Sequence, residues 1–464
     1  MLTISHGNRG LDRRSFLTVG SLGLGGLALP GLLARASTPE ALSLATGKSV
    51  IFLFQQGGPS QFETFDPKVD SPAGMRTITG TTQTSLPGVH FGDHMPQLAK
   101  LAHKFSIVRS FQTNNGGHNI QPIVSPDSLN ANIGSLFSKV VGATRQATGM
   151  PTNAVLFPEA VCNDVLKGKA RGDIIATGTL GSNYAPFIPG AGGQLQLNLK
   201  LNLPKDRLAS RSELLDQLND LSSQVETAND QKMVDHLQKQ AYQVLLSGGV
   251  AEALDMAKED AKTLARYETR SYTRADNWSK VSRGKAGMYT GHSKAIGKQL
   301  LLARRLCEAG CGYVTIHDGY DGVWDMHADG NNLNVKDGME AVGLSFDHAV
   351  AAFIEDIEAR GLQDKIMLVC CGEMGRTPKI NKNGGRDHWA KLAPLLVYGG
   401  GTPAGQVIGR SNRDGGEPAT DPFTPKHLIS TILHTLFDVG RLRVTPSQVQ
   451  IAKLAEHATI NGIN

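Results

Sequence analysis

The sequence predicts an α/β fold: a mostly parallel sheet sandwiched by helices, with a helical insertion. Three observations point there. Ser49–Phe54 (SVIFLF) and later runs like it are continuous and apolar, the pattern of strands buried on both faces. These runs alternate with stretches of helical periodicity, the rhythm of βαβ units. Glycine is abundant, 53 of 464 residues against an average share of ~7%, so a large scaffold carries many sharp loops.

Residues 1–36 read as an address. Asp12-Arg13-Arg14-Ser15-Phe16-Leu17 is a twin-arginine core, Val19 to Leu33 a weakly apolar run, and Ala34-Arg35-Ala36 a small-x-small cleavage site. An amphipathic helix with two chance arginines is the alternative, opposed by the glycines and proline in the run. The segment carries four Arg and one Asp, so its removal lowers the formal charge from +5 to +2. No nucleic-acid footprint then remains. No run of ~18 apolar residues free of Gly and Pro occurs, which excludes an integral membrane bundle after cleavage. The expected location is the periplasm or the medium, with the twin-arginine translocase as a partner during export.

The remainder, 37–464, is expected to be one α/β domain. After the strand Ser49–Phe54 come a helix over Met95–His103, a strand Phe105–Val108 and a polar loop from Ser110 to His118. Residues 130–200 mix short strands with Gly/Pro turns. Residues 205–305 are the helical insertion: Ser210-x-x-Glu213 is a capping box, and Leu214, Leu218, Leu221 and Val225 share one helix face. A helix Lys298–Ala309 then feeds a strand Gly312–Ile316. Helix Phe346–Arg360 feeds strand Lys365–Cys371, strand Pro394–Tyr398 ends in three glycines, and helix Pro425–Phe437 starts on proline. Of five cysteines, Cys307 and Cys311 read as buried small apolar residues more readily than as a disulfide, and Cys370-Cys371 as strand packing.

In open parallel sheets ligands bind beyond the carboxyl ends of strands, and here those ends are rich in metal-type ligands. His317-Asp318 through Asp321 to Asp325-Met326-His327 follows one strand, Gly372-Glu373 to Arg376 another, and Asp387-His388 lies ten residues on. His118 ends the loop after Phe105–Val108. Carboxylates and imidazoles suit Zn, Mn or Fe; two such ions could clamp a phosphate or sulfate ester, with an Arg fork beside them. Each residue also has a plain structural reading: a turn for Asp318 and Asp321, a salt bridge to Arg376 for Glu373, stacking on Trp389 for His388, loop-stapling hydrogen bonds for His118. Asp387 could orient His388.

The motifs Gly57-Gly58-Pro59-Ser60, Thr64-Phe65-Asp66-Pro67-Lys68, Trp324-Asp325-x-His327, Gly372-Glu373-Met374-Gly375-Arg376-Thr377-Pro378 and Gly385-Arg386-Asp387-His388-Trp389 resemble those of the DUF1501 family from about residue 48 to 440. That family comprises exported bacterial proteins, and it resembles the alkaline phosphatase/sulfatase superfamily in fold. The resemblance implies an alkaline-phosphatase-like sheet and a metal-dependent hydrolase or a relative of one. Asp325, His327, Glu373 and His388 match the superfamily's late metal positions in order, with Asp318 a further candidate. His118 would be a ligand or acid/base, and Arg376 the holder of the oxyanion. Two departures stand out. The acid usual at the end of the first strand is replaced by Gln55-Gln56-Gly57, and the sulfatase nucleophile signature is absent, leaving Thr113 or Ser110 as candidate nucleophiles.

Two readings follow. One is an exported hydrolase of small-molecule or polysaccharide phosphate or sulfate esters, with a divalent ion (Zn, Mn or Ca) as cofactor. The other is a non-catalytic exported binding or assembly protein that keeps the fold without the nucleophile.

Overall fold

A computed structural model of the chain describes residues 43–145, 147–190, 249–274, 280 and 283–463. The expected signal segment and the capping-box part of the insertion lie outside them.

Seven strands form the central sheet: β1 (Ser49–Phe54), β2 (Phe105–Val108), β3 (Asn153–Leu156), β4 (Tyr313–His317), β5 (Ile366–Cys371), β6 (Leu395–Gly399) and β7 (Val407–Ile408). Their order across the sheet is β7-β2-β6-β5-β1-β4-β3. β1 pairs in parallel with β4 and β5, β3 with β4, and β7 with β2. Only β6 is antiparallel to its neighbours β2 and β5. The mostly parallel sheet expected from the sequence is therefore present, with one reversed strand that apolar runs cannot distinguish.

Both faces of β1 are buried, as its unbroken apolar run requires. Ile51 and Leu53 point into one core, shared with helices Arg283–Glu308 and Leu344–Ala359. Val50, Phe52 and Phe54 point into the other, shared with Ile133–Val141 and Pro425–Leu436. Each large apolar side chain so buried contributes about 1.5–3 kcal/mol. Asn132 caps Ile133–Val141 by accepting from the Gly134 amide at 2.8 Å.

Several boundaries differ from expectation. The helix expected over Met95–His103 is Pro96–Lys100 followed by a 3-10 turn, Ala102–Lys104. The helix expected to begin at Lys298 begins at Arg283, and the described end of the insertion, from Gly249, is helical. All five cysteines are free and buried. Among the described residues no helix is long and apolar enough to cross a membrane.

Because six strands point one way, the loops after β1, β2, β4 and β5 emerge on one edge of the sheet. The reversed β6 enters from that same edge, just after His388.

Candidate metal centre

His118 arrives on the long loop after β2, Asp325 and His327 on the loop after β4, and His388 on a two-residue strand that pairs with Gly375–Arg376 beyond β5. One ligand atom from each of these four lies within 4.8 Å of every other. All three imidazoles turn Nε2 toward the same carboxylate. His327 Nε2 is 2.6 Å from Asp325 Oδ1, His388 Nε2 3.3 Å from Oδ1, and His118 Nε2 3.1 Å from Oδ2.

Neutral imidazole has one donor nitrogen and one acceptor, and a carboxylate only accepts. Each contact therefore requires a proton or a cation between its two atoms. His118 makes the requirement acute, because its Nδ1 lies 2.8 Å from Glu373 Oε1. Flanked by two acids, it carries both protons when both are ionised and no cation is present. Burial lowers its pKa, but the hydrogen bonds to Asp325 and Glu373 outweigh this and raise it to about 9. Asp325 is likewise penalised by burial, yet the three imidazoles and Arg376 hold its carboxyl well below the usual range. A divalent cation would resolve the same conflict, leaving Nδ1–H to Glu373 and the Nε2 lone pairs to the ion. The donor set thus fits a metal.

Glu373, expected among the ligands, stands one layer back. It is fully buried; burial raises its pKa against the hydrogen bond from His118. Its Oε1 also accepts the Gly57 amide at 2.8 Å, and its Oε2 has no hydrogen-bond partner. Arg376 has a different place from the oxyanion role expected of it. Its Nε donates to the Gly58 carbonyl at 2.8 Å, Nη1 to Arg386 O at 3.1 Å, and Nη2 to Gly57 O and to Asp325 Oδ1 at 2.8 Å. With 1% of its side chain exposed it faces Asp325 and not the solvent.

Asp318 is also outside the cluster: it accepts from Trp324 Nε1 at 2.7 Å and faces His292 Nδ1 at 3.3 Å, both toward the helical core. Thr113 donates to Asn115 O within its own loop at 3.2 Å, and Ser110 is packed against Gly409. Asp387 lies 3.6 Å from Nδ1 of His327, not beside His388. Glu63, in the loop after β1, forms a fully buried pair with Arg386 at 3.0 Å.

The loops meet at backbone distance. Gly57, at φ +114°, would place a Cβ 2.7 Å from the Trp324 amide, and a Cβ on Gly385 would collide with the carbonyl of His327. Only glycine permits either approach.

The cluster floors a cavity of about 280 Å³, lined also by Arg171, Tyr320, Asp321, Gly322, Asp329, Asn331 and Asn332. Asn332 Nδ2 donates to Asp325 Oδ2 at 3.3 Å. Sequence reasoning missed Arg171, which lies among turns with no strand end to flag it, and Asn332, which reads as a turn residue.

The profile of the family described as "Protein of unknown function (DUF1501)" matches residues 47–460, so the chain belongs to that family. No curated protein matches it. Among solved structures it is similar to Ps i-CgsB in complex with k-i-k-neocarrahexaose, at 9% identity and TM-score 0.35 over 84% of this chain and 71% of the other. It is also similar to the PsFucS1 sulfatase from Pseudoalteromonas sp. (13%, 0.34, 84% and 67%). A third similarity is to a TAB5 alkaline phosphatase mutant with Mg bound (12%, 0.25, 79% and 92%).

Proposed function

We propose that this protein is an exported, divalent-metal-dependent hydrolase of phosphate or sulfate esters. The observation that carries the reading is the convergence of three Nε2 atoms on one ionised carboxylate at the floor of an open cavity. His118, His327, His388 and Asp325 would hold the ion. A nitrogen-rich set of this kind favours Zn or Mn over Ca, which takes 6–8 oxygens. The bound ion would supply Lewis acidity toward an ester oxyanion.

The chain's own residues prepare the site. Glu373 accepts the hydrogen bond from Nδ1–H of His118 and so fixes the tautomer that leaves Nε2 free. Arg376 holds the ionised Asp325 in place. Export through the twin-arginine translocase belongs to the same proposal and rests on the motif at Arg13-Arg14.

One observation favours a second reading, a binding protein without turnover: no Ser, Thr or Cys is among the described residues that line the cavity. Metal analysis of purified protein, then a panel of aryl phosphates and sulfates, separates the two. Stoichiometric metal with turnover lost in His388→Ala supports the hydrolase; metal without turnover supports the binder; no metal uptake from Zn or Mn rejects the metal centre.

A further inference from the structure

The cavity has an anion problem. Asp321, Asp325 and Asp329 line it, and an ester anion entering beside three carboxylates needs more positive charge than one ion already bound to Asp325. Arg376 and Arg386 are spent on backbone carbonyls and buried acids. Among the described residues lining the cavity, Arg171 is the sole Lys or Arg.

Its setting is built. The Arg171 amide donates to Gln56 Oε1 at 3.1 Å, and its carbonyl accepts from Gln56 Nε2 at 3.0 Å. The fully buried Gln56 also donates to Asn119 O at 3.2 Å and meets His317 Nε2 at 2.9 Å. One amide at the end of β1 therefore fixes the spacing between the His118 loop and the backbone of Arg171. Asp321 holds Nε at 2.7 Å. Nη1 and Nη2 meet no acceptor among the described residues, and 60% of the side chain is exposed at the cavity mouth. A guanidinium anchored through Nε presents its remaining face as a two-pronged donor to an oxyanion.

We propose that Arg171, set by Gln56 and Asp321, binds the anionic head of the substrate. This rests on the hydrolase reading above and gives the anion-holding role to Arg171.

The test is calorimetric titration of inorganic sulfate and inorganic phosphate into Mn-loaded and metal-free full-length protein, for the wild type, Arg171→Gln and Arg171→Lys, with Mn uptake measured separately. Arg171→Gln is expected to take up Mn as the wild type does while its anion Kd rises ~10-fold or more, the loss expected for charged hydrogen bonds. Arg171→Lys should recover part of it, as a point charge without the fork. Equal anion affinity in Arg171→Gln and wild type overturns the proposal, as does a loaded wild type that binds neither anion. Failure of the wild type to take up either Mn or Zn overturns the hydrolase reading, and the metal-free titrations then decide Arg171 by the same comparison.

Discussion

Two clusters of buried charge lie at opposite edges of the sheet and are built of similar parts to different ends. At the amino edge, where helices Arg283–Glu308 and Leu344–Ala359 close onto β4 and β5, Arg304 meets Glu308 at 2.6 Å, Glu259 at 2.9 Å and Asp356 at 3.1 Å. Arg360 meets Glu259 at 3.0 Å and Asp356 at 2.8 Å, and Arg305 also pairs with Glu259. Three guanidiniums face three carboxylates, every cation beside an anion. At the carboxyl edge, three imidazoles face one carboxylate whose charge Arg376 already claims. The first cluster balances its charges as it stands, although Arg304 Nε and Nη2 meet their carboxylates as ion pairs without hydrogen-bond geometry; the second balances only with a cation or added protons. Burial of charge is common to both, and the incomplete cluster is the one that could take up an ion.

Removing one partner from each cluster should break this contrast or confirm it. Arg304→Ala should destabilise the fold by less than the about 3–5 kcal/mol of a fully stranded buried charge, since Arg305 and Arg360 still face Glu259 and Asp356, and leave metal affinity unchanged; chemical denaturation and a metal titration read the two separately. Asp325→Asn should weaken metal binding beyond the ~100-fold upper end typical of losing an outer partner, with the folded state retained by circular dichroism. Glu373→Gln should cost ~10–100-fold in metal affinity, because the amide can no longer hold the His118 proton as an anion does. If Arg304→Ala lost metal, or Asp325→Asn kept it, the division between a structural and a binding cluster would fall.

The smallest effect concerns His317, at the same edge as His118 but of opposite character. Its Nε2 meets Gln56 Oε1 at 2.9 Å, and its Nδ1 accepts from the Gly319 amide at 2.9 Å, so the neutral ring is satisfied. Burial lowers its pKa to about 4, against the opposing charges of Asp318 and Asp321. The unfolded chain binds this proton near pH 6.5 and the folded chain only near 4. The stability it contributes is therefore present above ~6.5 and lost as pH falls toward 4. In His317→Gln, Tm should fall less than in the wild type between pH 6.5 and 4. An unchanged profile would sharpen the comparison by assigning the acid response to the unsatisfied cluster instead.

How much of this was legible in the sequence depended on which property was asked for. β1 and β5 were readable because burial on both faces leaves an unbroken apolar run. The convergence of the side chains at 118, 325, 327 and 388 was readable because strand ends in a parallel sheet share an edge. Direction was not readable. Arg376 was expected to reach outward and turns inward, since its acceptors are the Gly57 and Gly58 carbonyls more than 300 residues away. Glu373 follows its strand by one residue, which places it behind His118, not beside it. Asp318 follows β4 as closely, yet Trp324 and His292 draw it toward the helices. Thr113 is the right type in the right loop, turned back on its own backbone. Residue type gives the chemistry available; only the tertiary partners decide which way it faces.

The span between His118 and Asp325 is 207 residues, and Gly385 can seat against His327 only once both loops are in place. Any piece of the chain that carried all four side chains would have to run from His118 to His388. An ion held here would bind the folded chain and not the unfolded one, so its uptake would stabilise the whole sheet by mass action.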